Sequence, residues 1–365
     1  MMACTMMIVH LLLKYRLTYV SLIELQRFSF TMRILNVCGG HERTIAFSGL
    51  RALLPNSVEL VPGPGCPVCV CAEEDLRLAI TLALEGFHVA SFGDMLRVPA
   101  TGKVSSLLAA REEGANVTAL ASPAEALKLA LATPHEPVVF FAAGFETTMA
   151  PIAAFIAAGL PDNLYILLSG KRTSPAVYTL LEKGLDIGAL IAPGHVAAIT
   201  GCAEWRALAD DLQCPVVVAG FTPQSFMQAV DMVLQAKGAF FANAYAEVVR
   251  EAGNRRAQAL LGEVFDIVPA HWRGLGSIAD SGYQLKAAFL KHDARFLLPQ
   301  RQRTEKGEMP KGCACAHVLC GKIYPRQCPL YGKSCTPETP VGPCMVSDEG
   351  ACHIAWQSGW QDALA

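Results

Sequence analysis

Short apolar runs, each followed by a glycine-containing turn, recur along the chain from Met32 to about Pro299. The runs are Arg33–Val37, Val138–Ala142, Leu164–Leu168, Ala189–Ala192 and Pro215–Ala219. Continuous apolar runs of this length are typical of parallel strands that are buried on both faces. The pattern therefore predicts a parallel β-strand at each of these positions.

Amphipathic stretches lie between the predicted strands. They predict helices over Glu73–Glu85, Lys103–Glu113, Pro123–Ala132, Ser174–Lys183 and Pro223–Lys237. Two of them start with a hydroxyl residue followed by proline, at Ser122-Pro123 and Thr222-Pro223, which is a typical helix beginning. Strands and helices in alternation predict an α/β protein with parallel sheets and helices on both faces of each sheet.

The character of the sequence changes after Pro299. Gln300–Lys311 is polar and charged, which predicts an exposed linker, and the residues after it are rich in cysteine, glycine and proline. The predicted divisions are a poorly ordered N-terminal extension over 1–31, an α/β domain over 32–130, a second α/β domain over 131–240, and a helical segment, linker and small C-terminal module over 241–365. Met32 is an alternative start for the protein.

Composition narrows the class of protein. Hydrophobic residues make up 52% of the 365, charged residues 17%, and the formal net charge is −2. Extensive disorder is excluded, and nothing indicates a nucleic-acid binder held by phosphate contacts. The most apolar stretch, at the N-terminus, is broken by charges at Lys14, Arg16, Glu24 and Arg27, so we predict no membrane segment and no export signal. A cytoplasmic protein is expected.

Cysteine is unusually abundant and unevenly placed. Of the 14 cysteines, four lie between Cys38 and Cys71 and seven lie between Cys313 and Cys352. A disulfide scaffold is usually short and secreted, whereas this chain is long. Clustered cysteines in such a chain favour metal binding or thiol redox chemistry.

The C-terminal cluster predicts a metal or iron–sulfur site. Its main candidates are Cys315, Cys328, Cys335 and Cys352, with Cys313, Cys320 and Cys344 as further thiols. Four thiolates can hold a zinc ion or an iron–sulfur cluster. Zinc usually uses tight Cys-X-X-Cys pairs, which this segment lacks, so the long unequal spacings favour an iron–sulfur cluster. A zinc site remains the alternative.

Two further motifs carry candidate chemistry. Cys66, Cys69 and Cys71 follow a Gly/Pro-rich turn and precede a predicted helix, a position that lowers a thiol pKa and favours a reversible disulfide or metal binding. Cys38 and His41 follow the first predicted strand, where an open α/β sheet usually binds its ligands. A thiolate and an imidazole there suit iron or copper, and ordinary packing roles are the alternative.

Several longer motifs together resemble the HypD family of NiFe hydrogenase maturation proteins. They are GPGCPVCV at Gly63–Val70, FGDMLRVP at Phe92–Pro99, GFETT at Gly144–Thr148, PGHV at Pro193–Val196, VAGF at Val218–Phe221, WRGLGSI at Trp272–Ile278, and CPLYGKSCTPETPVGPCMVSDEGAC at Cys328–Cys352. The resemblance runs from about Met32 to the C-terminus.

The resemblance implies a fold of two α/β domains plus a C-terminal 4Fe–4S module. It also implies a scaffold that, with a HypC-like chaperone, holds one iron while cyanide and carbon monoxide are added. Cyanide would come from a thiocyanate on a HypE-like donor. By this resemblance Cys38 binds the iron, His41 lies nearby, and Cys66 and Cys69 form a redox-active pair. The activity that the resemblance implies is that of a metallocentre-assembly scaffold with redox chemistry rather than that of a conventional turnover enzyme.

The chain also departs from the family pattern. It has Cys38-Gly39-Gly40-His41-Glu42 in place of the usual CGTHT, so Glu42 adds a carboxylate at the expected iron site. The cluster module opens with Cys313-Ala314-Cys315, and we choose Cys315 over Cys313 as the first cluster ligand. Cys71 and Cys320 are extra thiols. The alternative function is an iron–sulfur thiol–disulfide oxidoreductase with no assembly role.

Overall fold

Five parallel strands form the first sheet of the computed structural model, which describes residues 31–299 and 309–359. Its strand order is β2-β1-β7-β8-β9. The strands are β1 (Met32–Asn36), β2 (Val58–Pro62), β7 (Ala189–Pro193), β8 (Pro215–Ala219) and β9 (Phe240–Asn243). All four pairings are parallel. The central strands β7 and β8 are buried along their whole length, as their uninterrupted apolar sequences require.

A second sheet of four parallel strands has the order β4-β3-β5-β6. The strands are β3 (His88–Phe92), β4 (Val117–Leu120), β5 (Val138–Gly144) and β6 (Leu164–Gly170). The most buried of them is β5, whose seven residues are all buried. The side chains on its two faces enter different hydrophobic clusters, since Val139 and Phe141 pack in one and Val138 and Phe140 in the other.

Helices connect the strands and flank both sheets. They are α1 (Gly39–Phe47), α2 (Pro67–Val70), α3 (Glu73–Leu84), α4 (Leu107–Glu112), α5 (Pro123–Ala132), α6 (Glu146–Ala157), α7 (Thr173–Glu182), α8 (Gly194–Thr200), α9 (Ala203–Leu212), α10 (Pro223–Gln235) and α11 (Arg255–Val264). Two more follow near the C-terminus, α12 (Cys315–Leu319) and α13 (Ala351–Ser358). The Thr222 hydroxyl caps α10 by accepting a hydrogen bond from the Ser225 amide.

An antiparallel hairpin, β10 (Phe265–Trp272) and β11 (Gly276–Leu285), follows α11. The region from residue 241 was predicted to be a helical segment, and this prediction is wrong for the hairpin. Asp266 and His271 flank the apolar residues of β10, and most positions of this strand are exposed or half-buried, unlike those of a central strand. After the hairpin, the cysteine-rich segment of residues 309–359 is held mainly by turns and short helices.

The predicted α/β class with two parallel sheets flanked by helices is confirmed, as is the C-terminal cysteine cluster. The two sheets do not divide the chain at the predicted domain boundary between residues 130 and 131. Strands β1 and β2 share a sheet with β7–β9, and β3–β6 form a sheet of their own. A boundary at residue 130 therefore does not separate the two sheets. The predicted N-terminal extension and most of the predicted linker lie outside the described residues, apart from Thr31 and 309–311.

No helix in the described part of the chain is long and apolar enough to cross a membrane.

Candidate functional site

The carboxyl ends of β1 and β2 bring Cys38 and the Gly63–Cys66 turn together. These strands pair in parallel, with Asn36 opposite Pro62, so the loops that follow them start side by side. The Gly39 amide donates to the Gly65 carbonyl over 3.0 Å, and the Cys38 amide donates to the Asn36 side chain over 3.2 Å. The Cys38 loop and the cysteine-containing turn are therefore one hydrogen-bonded unit.

A disulfide joins Cys66 and Cys69 at the start of α2. Both residues are buried, and Cys66 is the N-cap of the helix, where its sulfur accepts a hydrogen bond from the Cys69 amide over 3.1 Å. The pair that the family resemblance implies is thus present as a bonded pair. Cys71 is separate from it, because its sulfur lies 3.4 Å from the Ser169 hydroxyl.

The Cys38 thiol is half-buried, and its surroundings disfavour the thiolate. Desolvation raises the pKa of Cys38 to about 12, and the Glu349 carboxylate adds to the increase. The His41 and Gly40 amides at the start of α1 act in the opposite direction. A thiol with this pKa is protonated at neutral pH, so a metal ion that binds it must displace the proton.

Glu349 reaches this region from the C-terminal segment. Its backbone lies against Gly39, where an added Cβ would be 2.5 Å from the Glu349 carbonyl oxygen. Burial raises the pKa of Glu349, and the carboxylates of Asp94 and Asp348 raise it further. The C-terminal segment thus covers the start of α1 with acidic side chains. Asp94 and Glu349 lie within motifs noted in the sequence, but no local spacing predicts that they meet.

His41, in the first turn of α1, is fully buried. Its Nε2 lies 3.1 Å from the Ala219 carbonyl oxygen, and its ring stacks on Phe221, against which His195 also stacks. Burial lowers the pKa of His41 to about 4, so the ring is neutral at pH 7. Among the described residues, Nδ1 has no hydrogen-bond partner. The structure therefore gathers the CGGH, PGHV and VAGF motifs around Phe221.

Glu42 has partners of its own. The Arg51 guanidinium donates to both carboxylate oxygens over 2.9 Å, and the side-chain amide of Asn36 donates to one of them over 3.2 Å. Glu42, the residue that differs from the usual family motif, is thus held by an ion pair with Arg51 beside β1.

Thiols of the C-terminal segment lie in contact with one another. Cys344 is in hydrogen-bonding contact with Cys315 and Cys352, and Cys313 is in contact with Cys315. These contacts raise the pKa of Cys344 and lower that of Cys352. Gly342 lies against the group, since an added Cβ would be 2.6 Å from the Cys315 sulfur.

The other C-terminal thiols lie at different distances from this group. Cys328 and Cys335 are close enough to interact electrostatically with its members. Cys320 instead has Lys322 and Lys183 as its charged neighbours. In residues 31–299 and 309–359, no three histidine, cysteine or carboxylate side chains are placed to hold one metal ion. The structure thus brings Cys315 and Cys352 together with the alternates Cys313 and Cys344, and places Cys328 and Cys335 around them.

The disulfide lies next to the C-terminal segment. The Cys69 sulfur is 4.0 Å from the Pro343 carbonyl oxygen, and Pro343 immediately precedes Cys344. A buried ion pair supports the same region, because Arg273 bonds Glu73 over 2.9 Å with both side chains fully buried, and the Arg273 amide donates to Val70. Sequence reasoning missed this pair, whose members are 200 residues apart.

These features define an α/β protein with two parallel sheets, a Cys-X-X-Cys disulfide at one sheet edge and a cysteine-rich C-terminal segment. The family model described as HypD, hydrogenase formation hypA family, matches residues 18–359. The chain belongs to this family, which confirms the resemblance seen in its motifs.

Curated relatives show the same likeness over most of their length. The chain is 40% identical over 346 residues to the hydrogenase maturation factor HypD of Escherichia coli, covering 92% of this chain and 91% of that one. It is 41% identical over 350 residues to the hydrogenase expression/formation protein HupD of Azotobacter chroococcum, covering 91% of each. It is 37% identical to the HypD of Cupriavidus necator, covering 92% of this chain and 90% of that one.

Proposed function

We propose that this chain is a maturation factor for NiFe hydrogenases that acts as a scaffold for iron. One iron is the substrate, and it receives its cyanide and carbon monoxide ligands while it is held by this chain and a HypC-like chaperone. A HypE-like protein supplies cyanide as a thiocyanate. Membership of the HypD family supports the proposal, and the names of the relatives point to the same process. Abundant free thiols suit the reducing cytoplasm as the compartment.

The observation that carries the proposal is the contact between the Cys38 loop and the turn that leads to Cys66. The 3.0 Å hydrogen bond between Gly39 and Gly65 fixes the thiol of Cys38 and the disulfide on neighbouring loops. Cys38 is half-buried and thus accessible to a metal ion. A thiolate is a suitable ligand for an iron that also binds cyanide.

Cys66 and Cys69 supply the electrons that cyanide transfer needs. Cleavage of the S–CN bond of a thiocyanate to a thiol and hydrogen cyanide takes up two electrons and two protons. Oxidation of the two reduced thiols to one disulfide releases the same number of each, so one thiocyanate consumes one Cys66–Cys69 dithiol. The oxidised pair in the structure is the product state of this step, and it must be reduced before the next cyanide.

The C-terminal thiols fit a 4Fe–4S cluster by the chemistry of their donors. Cys313, Cys315, Cys344 and Cys352 already lie in contact, and Gly342 packs so closely on them that an added Cβ would overlap the Cys315 sulfur. Cys328 and Cys335 are the other thiols within reach of such a group. When bound, a cluster would supply electrons one at a time, so reduction of one neighbouring disulfide would take two such transfers.

The disulfide by itself also favours a second function, that of an iron–sulfur thiol–disulfide oxidoreductase with no assembly role. Such a protein needs Cys66 and Cys69 but has no use for an accessible thiol at Cys38. The two functions therefore differ in what Cys38 does.

The test is anaerobic co-purification of the chain with a HypC-like chaperone, followed by iron analysis and infrared spectroscopy. We expect iron in excess of the four atoms of a cluster, together with bands of bound cyanide and carbon monoxide. Cys38→Ala should lose the excess iron and the bands but keep the visible absorption of the cluster. The matched control is Cys214→Ala, a buried thiol at the amino end of β8, whereas Cys38 lies at the carboxyl ends of the parallel strands. Excess iron and bands that survive in Cys38→Ala would refute the scaffold function and favour the oxidoreductase.

A further inference from the structure

A cavity of about 330 Å³ lies away from Cys38, between α3, the end of β6 and the β10–β11 hairpin. One part of its wall is apolar, formed by Leu78, Leu168 and Val268. Other parts carry charged groups, of which Lys171 is the most buried basic one, with 3% of its surface exposed. A cavity of this size holds a small molecule of several heavy atoms.

Lys171 enters the cavity directly after β6. Its main chain is fixed, because its amide donates to the Gly144 carbonyl over 2.9 Å and it forms a bridge with Gly282 of the hairpin. Its ammonium group, in contrast, makes no hydrogen bond or ion pair within 31–299 and 309–359. Burial lowers the pKa of Lys171. An ammonium that is largely buried and bonds no protein atom loses much of its hydration, and a negatively charged ligand in the cavity would compensate for that loss.

The two buried carboxylates of the cavity, Asp75 and Asp293, both bond Arg295. Its guanidinium bonds Asp75 over 2.6 Å and the Leu168 carbonyl over 2.7 Å, and its amide donates to Asp293 over 2.9 Å. Glu74, the remaining acidic residue of the lining, is exposed at the rim. Lys171 is thus left with acidic neighbours that raise its pKa electrostatically but do not bond its ammonium.

We propose that this cavity binds a small organic monocarboxylic acid, whose carboxylate bonds Lys171 and whose carbon skeleton lies on Leu78, Leu168 and Val268. A single negative charge matches the single unbonded ammonium. A phosphate dianion fits less well, because it would face Glu74, Asp75 and Asp293 and leave the apolar wall uncovered. This binding site is separate from the proposed iron site and does not depend on its function.

Ligand-observed NMR on the full-length chain, with butyrate as the probe, tests the proposal. We expect saturation transfer to butyrate but not to its uncharged analogue butyramide. Inorganic phosphate at equal concentration should not displace butyrate. Lys171→Met should weaken butyrate binding at least about tenfold, since it removes a charge-assisted hydrogen bond. Lys103→Met, which removes an exposed lysine outside the cavity, should bind butyrate as the parent chain does.

A thermal melt separates ligand binding from a structural role of Lys171. Because the variant loses a buried charge without a bonded partner, Lys171→Met should melt at or above the temperature of the parent chain, and butyrate should stabilise only the parent. Ala270→Phe, which fills the cavity from the hairpin, should abolish binding as a second variant. The proposal is wrong if the parent chain does not bind butyrate, if phosphate displaces it, or if Lys171→Met and Ala270→Phe bind it unchanged.

Discussion

Gly65 lies directly against the backbone of Cys38, so closely that an added Cβ would overlap the Cys38 amide and lie 2.5 Å from the Val37 carbonyl carbon. Only glycine allows the two loops to approach in this way. The turn that leads to the Cys66–Cys69 disulfide is therefore positioned by the residue before it, and the Cys38 loop cannot move without moving the turn.

The first prediction concerns this contact. Gly65→Ala should lower the free energy of unfolding by about 1–3 kcal/mol, the usual range for overpacking, and should reduce iron binding at Cys38. The control is Gly93→Ala, because an added Cβ at Gly93 meets no atom within 4 Å. Urea unfolding and iron analysis measure the two effects. Equal stability of the two variants would show that the loops can separate without cost.

The second prediction assigns Glu42 to stability rather than to iron. Glu42→Gln weakens the partly buried pair with Arg51 and removes the negative charge opposite that guanidinium, so we expect a loss of about 1–3 kcal/mol. Iron content should not change. Asp162→Asn breaks an exposed pair with Lys291 and should cost at most about 1 kcal/mol. Loss of iron at unchanged stability would instead make Glu42 a ligand.

The third prediction is a pH dependence. Burial raises the pKa of Glu146 to about 7 from its ordinary value of 4.5. The folded chain therefore binds more protons than the unfolded chain between these two pH values, so the contribution of Glu146 to stability is full below pH 4.5 and is lost as the pH rises through 7. Between pH 4.5 and pH values above 7, the free energy of unfolding of the parent chain should therefore fall by about 3 kcal/mol more than that of Glu146→Gln.

Urea unfolding at pH 5, 6 and 7.5 measures the third prediction. The difference in stability between Glu146→Gln and the parent chain should shift in favour of the variant as the pH rises. Glu85→Gln changes an exposed carboxylate and should show no such shift. A constant difference across this range would mean that Glu146 is ionised in the folded chain throughout.

The fourth prediction concerns which thiols pair. Mass spectrometry after alkylation of the denatured, air-exposed chain should show two more alkyl groups once the protein has first been reduced. Cys71→Ser should give the same increase of two, because Cys71 lies against Ser169 rather than in the disulfide. Cys69→Ser should give none. An increase of two in Cys69→Ser would mean that Cys66 pairs with Cys71.

The sequence predicted β5, β7 and β8, which are apolar throughout, but it missed β2, which carries a charge. Pro215–Ala219 was predicted to the residue and Val138–Ala142 to within two residues. In contrast, β2 contains Glu59, which pairs with Arg33 of the neighbouring strand. A charge in the middle of a short strand hides the apolar run, and only the pairing partner explains why the charge is tolerated.

Sequence patterns also predicted the candidate site only in part. Clustering along the chain identified the cysteines, because thiols close in sequence remain close in the fold. The approach of Glu349 to Gly39 depends on how the C-terminal segment packs on α1, and no local pattern records a contact between residues so far apart. Likewise, the nearness of Cys38 to the disulfide follows from the pairing of β1 with β2, which required a strand that the sequence had not revealed.

The pairing of Ile34 with Ala189 has a consequence for synthesis. A nascent chain that has emerged as far as residue 170 already holds every strand of the four-stranded sheet, but β1 and β2 still lack β7, their next neighbour. Cys38, Cys66 and Cys69 therefore leave the ribosome long before β7 can pair with β1, and the segment that lies over Gly39 is translated later still. Iron delivered during translation would meet uncovered thiols, and only a completed chain offers them in their final arrangement.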